Sequence, residues 1–149
     1  MKSLTLTIPG IPIAQRRPRF ARRGKFVVTY SDQQTEAGKF LLEACRQAGG
    51  VFLEGPLELK ATFVMPRPKG HYGTGKNSGL LKASAPEYHT KKPDLDNLIK
   101  FIKDCLNSEI YHDDSAIVWI RASKIYVTEN WYLDKPCTLI TLTQLEEQQ

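Results

Sequence analysis

The stretch Lys91–Ile117, KKPDLDNLIKFIKDCLNSEIYHDDSAI, decides how this chain is read. Leu95, Leu98, Ile99, Ile102 and Leu106 recur at i, i+3, i+4, i+7 and i+11, the apolar stripe of an amphipathic helix. Pro93 stands just before the first turn, where a helix tolerates it, so the spacing predicts a helix over about Asp94–Asn107. Asp96 and Lys100, four residues apart, are neighbours on its polar face, and Asp94 lies at or before the first turn. Ser108–His112 gives a short return, which delivers Asp113-Asp114 to the head of the next strand. A strand antiparallel to the helix starts at the helix's far end, whereas a helix tilted across the sheet brings the two acidic clusters together. The sequence leaves both arrangements open.

Outward from this helix the pattern is that of short strands. Ser3–Ile8 alternates Leu4, Leu6 and Ile8 with polar residues before Pro9, Gly10 and Pro12 break it. An Arg-rich loop follows, then a β-branched and aromatic strand, Lys25–Tyr30. Ser31 is placed to cap a helix over 32–48, whose stripe is Ala37, Phe40, Leu41, Ala44 and Cys45 and whose stop is Gly49-Gly50. Pro56–Met65 predicts a strand with Leu57, Leu59, Ala61 and Phe63 on one side. Residues 66–92 form a long aperiodic loop rich in Gly, Lys and Pro, of the kind that is usually functional or disordered. Two more strands, Ala116–Val127 and Cys137–Leu142, precede a frayed tail. Two helices among about five strands predict an α+β (α/β layered) fold, a small mixed β-sheet with helices packed on it. At 149 residues, without an internal repeat or linker, residues 1–149 are expected to form one domain.

Composition narrows the function. No apolar run reaches the roughly 18 residues of a membrane span, and the N-terminus reads as a strand rather than a signal segment. A cytoplasmic chain with no membrane partner is expected. Cys45, Cys105 and Cys137 form no CxxC and do not group with the histidines, so a zinc site is excluded and buried reduced thiols are expected. Gly70–Lys76, GHYGTGK, imitates a phosphate-binding loop. Asn77 replaces the Ser or Thr that holds Mg²⁺, and Gly79 follows where a helix should start, so no nucleotide cofactor is expected.

The net charge is +5, and its distribution says more than its sum. Arg16, Arg17, Arg19, Arg22, Arg23 and Lys25 share one segment without an acidic residue. Arg67, Lys69, Lys76, Lys82, Lys91 and Lys92 share another against the single Glu87. Basic residues concentrated in loops suit contact with a phosphate backbone. The aspartates run against this trend. Singly, Asp94 or Asp96 suits a helix cap, Asp96–Lys100 a surface pair, and Asp113-Asp114 a turn. Jointly, converging carboxylates about 4 Å apart repel by roughly 4 kcal/mol per pair at an effective dielectric near 20, a cost that a divalent cation removes. All-oxygen ligands favour Mg²⁺ or Mn²⁺.

The run Pro93-Asp94-Leu95-Asp96-Asn97-Leu98-x-Lys100, with Asp104 and then Asp113-Asp114-Ser115, resembles the signature of the RusA family of Holliday-junction resolvases. The close match covers about 25 residues, and Ala116 stands where family members often carry Gln. The resemblance implies a Mg²⁺-dependent endodeoxyribonuclease, often phage- or prophage-encoded. Such an enzyme acts as a homodimer on branched double-stranded DNA and resolves four-way junctions by paired symmetric nicks in recombination and repair. It implies Asp94, Asp96 and Asp114 as metal ligands and catalytic residues, Asp113 as a possible further ligand, and Lys100 as catalytic. Mn²⁺ is the expected substitute ion. Arg16, Arg17, Arg19, Arg22, Arg23, Lys69, Lys76, Lys91 and Lys92 are the expected DNA contacts. A restriction-type nuclease fits less well, because no Asp/Glu-x-Lys follows Pro93-Asp94. The alternatives are another metal-dependent nuclease acting on branched DNA and a non-catalytic basic DNA-binding module.

Overall fold

The computed structural model describes the backbone of residues 2–16, 19–23, 26–30 and 33–147, and the side chains of 2–16 and 33–147. Its elements are β1 (Ser3–Pro9), β2 (Arg19–Arg23), β3 (Phe26–Tyr30), α1 (Gln34–Ala48), β4 (Leu57–Met65), α2 (Leu95–Leu106), β5 (Ile117–Tyr126) and β6 (Cys137–Gln144). Four strands form a sheet in the order β1-β6-β4-β5, and β2 and β3 form a separate hairpin. β4 and β5 are parallel, whereas β6 runs antiparallel to both β1 and β4. The fold is therefore α+β with a mixed sheet, as the sequence predicts. Parallel neighbours require a crossover, and α2 supplies it.

Period-two burial builds the floor of the core. Leu4, Leu6 and Ile8 of β1 and Leu57, Leu59, Ala61 and Phe63 of β4 are buried on one face, joined by Ile140 and Leu142 of β6. Both helices close that face. Phe40 of α1 meets Phe101 of α2 edge-on, with ring centroids 5.6 Å apart. α2 buries Leu98, Phe101, Ile102, Cys105 and Leu106, each large side chain contributing about 1.5–3 kcal/mol of burial free energy. Among the described residues, no helix is long and apolar enough to cross a membrane.

Several expectations need correction. Part of the Arg-rich segment is strand, since Arg19–Arg23 pairs with Phe26–Tyr30; its alternating side chains carry too little apolar character to announce it. Lys25 and Ser31 lie outside the described residues, and Gln33 holds the cap position of α1 without a side-chain cap bond. The amide of Gln33 instead clamps the incoming chain, accepting from the Arg16 amide at 2.8 Å and donating to the Ala14 carbonyl at 2.7 Å. Gly49 ends α1 where the sequence predicts its stop, and it does so in the left-handed conformation. Cys105 and Cys137 are buried, but Cys45 is exposed because the α1 stripe rotates toward Ala44 and Ala48.

Candidate metal and nucleic-acid site

Asp94 occupies the N-cap position of α2 in extended conformation, yet its carboxylate makes no cap hydrogen bond. Asp96 follows in the first turn, and both side chains are exposed. No ion pair within 4 Å joins Lys100 to either aspartate among the described residues, so these groups are not consumed by the helix that carries them. The approach to this end is fixed from the sheet. Lys124 of β5 donates its Nζ to the carbonyls of Lys91 and Pro93, both at 2.7 Å.

The second acidic cluster is divided in its roles. Asp113 accepts from the Ser115 amide at 2.9 Å and caps the short 3-10 turn Asp114–Ala116, and these bonds hold its carboxyl below the usual carboxylate range. Asp114 is half-buried and accepts from the Tyr111 hydroxyl at 2.7 Å. That hydroxyl also lies 3.1 Å from the Lys103 carbonyl of α2, and its single proton suits the shorter, charge-assisted contact. Burial, then the bond to Asp114, pushes the Tyr111 phenol upward, so it remains a donor. Sequence reasoning passes over Tyr111; its position three residues before Asp114 is the only signal. It passes over Lys124 as well.

These contacts settle the arrangement that the sequence leaves open. Asp94 stands at the N-cap position of α2, whereas Asp114 is tethered beside Lys103, nine residues later and about 13 Å along the helix axis. Parallel β4 and β5 place the start of β5 at the far end of the crossover helix. Among the described residues, no three His, Cys, Asp or Glu side chains are grouped so as to hold a metal ion. Within one chain, the expected ligand set does not fit a single ion. It splits into an open pair, Asp94 and Asp96, and a tethered single carboxylate, Asp114.

The expected DNA contacts are spread over several segments. Lys69, Lys76, Lys91 and Lys92 are exposed and make no side-chain hydrogen bond or ion pair among the described residues. Arg16 is exposed too, and Arg17 lies outside the described residues. Arg19, Arg22 and Arg23 belong to β2, where only backbone is described. The long loop is tied down. Arg67 donates to the carbonyls of Val127 at 2.9 Å and Pro86 at 2.7 Å and stacks 5.0 Å from the centroid of Tyr126. His71 and His89 pack on the same Tyr126 ring at 4.8 and 4.9 Å. In the phosphate-loop mimic, Gly75–Asn77 is a single 3-10 turn with no helix behind it.

The family model described as Endodeoxyribonuclease RusA matches residues 9–141 of this chain. The "Uncharacterized protein YqaN" of Bacillus subtilis (strain 168) is 32% identical over 136 residues, covering 87% of this chain and 92% of that protein. The "Crossover junction endodeoxyribonuclease rusA" of Lactococcus phage r1t is 42% identical over 45 residues, covering 30% of this chain and 34% of that protein.

Proposed function

The chain belongs to the RusA family of endodeoxyribonucleases, and from that premise we propose that it is a Mg²⁺-dependent resolvase of four-way DNA junctions. The observation that carries this reading is the unspent chemistry at the start of α2. Asp94 and Asp96 expose carboxylates free of cap bonds and ion pairs, one turn from the equally free Lys100. A helix surface without a ligand gains from pairing such charges; leaving them apart suits an ion and a phosphate. A Mg²⁺ at the open pair Asp94 and Asp96, completed by an Asp114 carboxylate from a second copy of the chain, would supply an activated water and neutralise charge on the scissile phosphate.

The chain's own residues do the remainder. Lys100 places a compact positive charge where the phosphate turns toward the transition state. Tyr111 holds the Asp114 carboxylate in one orientation. Lys69, Lys76, Lys91, Lys92 and Arg16, with the Arg residues at 17–23, bind backbone phosphates and position the duplex arms without reading sequence. A homodimer matches the two-fold symmetry of a four-way junction and delivers paired nicks, the chemistry that recombination and repair require.

Asp94→Asn and Asp114→Asn are each expected to abolish Mg²⁺-dependent nicking of a synthetic four-way junction while leaving its binding intact. Lys100→Ala is expected to slow cleavage at unchanged affinity. Retained metal-dependent cleavage by both aspartate variants would falsify the assignment. The separation of Asp114 from Asp94 within one chain favours one rival, a basic DNA-binding module whose aspartates are structural. That rival predicts no nicking of four-way, three-way or linear DNA with Mg²⁺ present, and no Mg²⁺-dependent thermal shift.

A further inference from the structure

The turn between β5 and β6 carries the most exposed large hydrophobic side chain among the described residues. Trp131 is 85% exposed and its neighbour Tyr132 54%, and their rings meet edge-on, with centroids 5.6 Å apart at 73°. The turn that presents them is built. The Thr128 amide donates to the Leu133 carbonyl at 2.8 Å, the Leu133 amide to the Asn130 carbonyl at 2.9 Å, and the Asn130 amide to the Thr128 hydroxyl at 3.1 Å. Rings held on an ordered turn bind at a lower entropy cost than rings on a slack one. Both stems are anchored. Arg67 donates to the Val127 carbonyl at 2.9 Å, and the Gly10 amide donates to the Pro136 carbonyl at 3.1 Å. Arg67 opens the basic segment that runs to Lys92, and Gly10 leads into the Arg-rich segment, so the turn rises between the two. It also leaves the end of the sheet where α2 begins, because Lys124, near the end of β5, holds the carbonyls of Lys91 and Pro93.

We propose that Trp131 and Tyr132 form a stacking platform for the open bases at a DNA branch point, and that this platform selects branched over linear DNA. This rests on the endonuclease reading above. A branch point interrupts the base stack and leaves base faces open, whereas a linear duplex must first unstack a base before an aromatic ring can reach it. Phosphate contacts by lysine and arginine hold both DNAs alike and select neither. The charge of the turn suits bases rather than phosphates. Exposed Glu129 and Asp134 outweigh Lys135, so the turn repels the backbone while its neutral rings accept a base face. The basic segments at its two stems supply the backbone grip. Flanked by those charges, two side chains fall far below the about 20–30 residues a side of a stable protein interface. They match one or two bases.

Binding of a synthetic four-way junction and of a linear duplex with the same arm sequence is measured without divalent metal, so that neither is cut. Loss of one stacked base weakens binding by about 5–150-fold. Trp131→Ala is expected to lose that much affinity for the junction and to bind the duplex as the wild type does. Trp131→Phe, which keeps a stacking face, is expected to recover most of the loss, and adding Tyr132→Ala to Trp131→Ala to deepen it on the junction alone. The junction, and not the duplex, is expected to quench tryptophan emission of the wild type. Trp131→Phe, in which Trp119 remains, is expected to show no such quenching. Full junction affinity in Trp131→Ala, or an equal loss on junction and duplex, overturns the platform, as does a wild type that binds both DNAs alike. A Trp131→Ala protein that sediments at a smaller mass than the wild type without DNA also overturns it, making the pair an interface between copies. If the wild type nicks the junction with Mg²⁺ while Trp131→Ala keeps full junction affinity, the endonuclease reading stands and the platform falls. If Trp131→Ala abolishes a junction preference in a wild type that nicks no DNA with Mg²⁺, the platform stands and the endonuclease reading falls.

Discussion

At the scale of single residues, Asp114 is held by one hydroxyl, and that makes its contribution measurable. Tyr111 is buried, and Tyr111→Phe keeps its packing while deleting the donor to Asp114. Losing a hydrogen bond to a charged group costs about 1.5–3 kcal/mol, and somewhat less where the acceptor is half-exposed and water can replace the donor. We expect Tm to fall by several degrees in thermal unfolding, and Mg²⁺-dependent cleavage to weaken while junction affinity holds. Unchanged cleavage would show that Asp114 needs no tether. The cysteines give a second residue-scale test. Burial, reinforced by Asp104, pushes the Cys105 thiol up to about 12, and burial raises Cys137 as well. Cys45 is exposed on α1. A thiol-disulfide reagent at neutral pH is therefore expected to label one thiol per folded chain, and Cys45→Ser to remove that reaction. Rapid labelling of two or more thiols in the native protein would contradict the burial of Cys105 and Cys137.

At the scale of elements, what is legible in the sequence is what periodicity fixes. The α2 stripe from Leu95 to Leu106 sets that helix to within a residue, and the alternation of Leu57, Leu59, Ala61 and Phe63 sets both β4 and its buried face. Strand β2 is not legible, because Arg19–Arg23 has no apolar alternation and its pairing with β3 is a matter of partners, not of local pattern. The separation of the two acidic clusters is not legible either. It follows from the parallel pairing of β4 and β5, a contact between segments about 60 residues apart that no local pattern encodes. The loop over 66–92 reads as aperiodic, and it is; its order comes from Tyr126, on which Arg67, His71 and His89 converge. That hub carries a pH signature. Desolvation, then the charge of Lys124, lowers the His89 pKa below the ordinary 6.5. The unfolded chain takes up a proton near its ordinary value while the folded chain resists it. The stabilisation is thus fully present above about pH 6.5 and is lost as pH falls from there through the folded-state value. Denaturant midpoints between pH 8 and 5 should decline more steeply for the wild type than for His89→Gln. Parallel curves would mean that His89 stays equally solvated in both states.

At the scale of the molecule, a basic segment leads directly into the acidic start of α2, and under the proposed function the two do different work on one polyanion. The segment before α2 carries Arg67, Lys69, Lys76, Lys82, Lys91 and Lys92 against the single Glu87, and its exposed Lys91 and Lys92 stand just before Pro93-Asp94. Each phosphate neutralised by such a residue releases condensed counterions, so the logarithm of the association constant falls with the logarithm of salt by about 0.9 per neutralised phosphate on duplex DNA. Replacing Lys91 and Lys92 with alanine should therefore weaken junction binding to a similar degree for every arm sequence. It should also make the salt slope shallower by roughly 1 for each phosphate that is no longer neutralised. Asp94→Asn removes a negative charge from the same place, so its affinity at low salt should hold or rise while cleavage ends. Binding isotherms between about 50 and about 200 mM salt for the three proteins separate these effects. A Lys91/Lys92 variant with an unchanged slope would place the DNA path elsewhere, away from the start of α2. The acidic strip would then lie off the phosphate it is meant to cut.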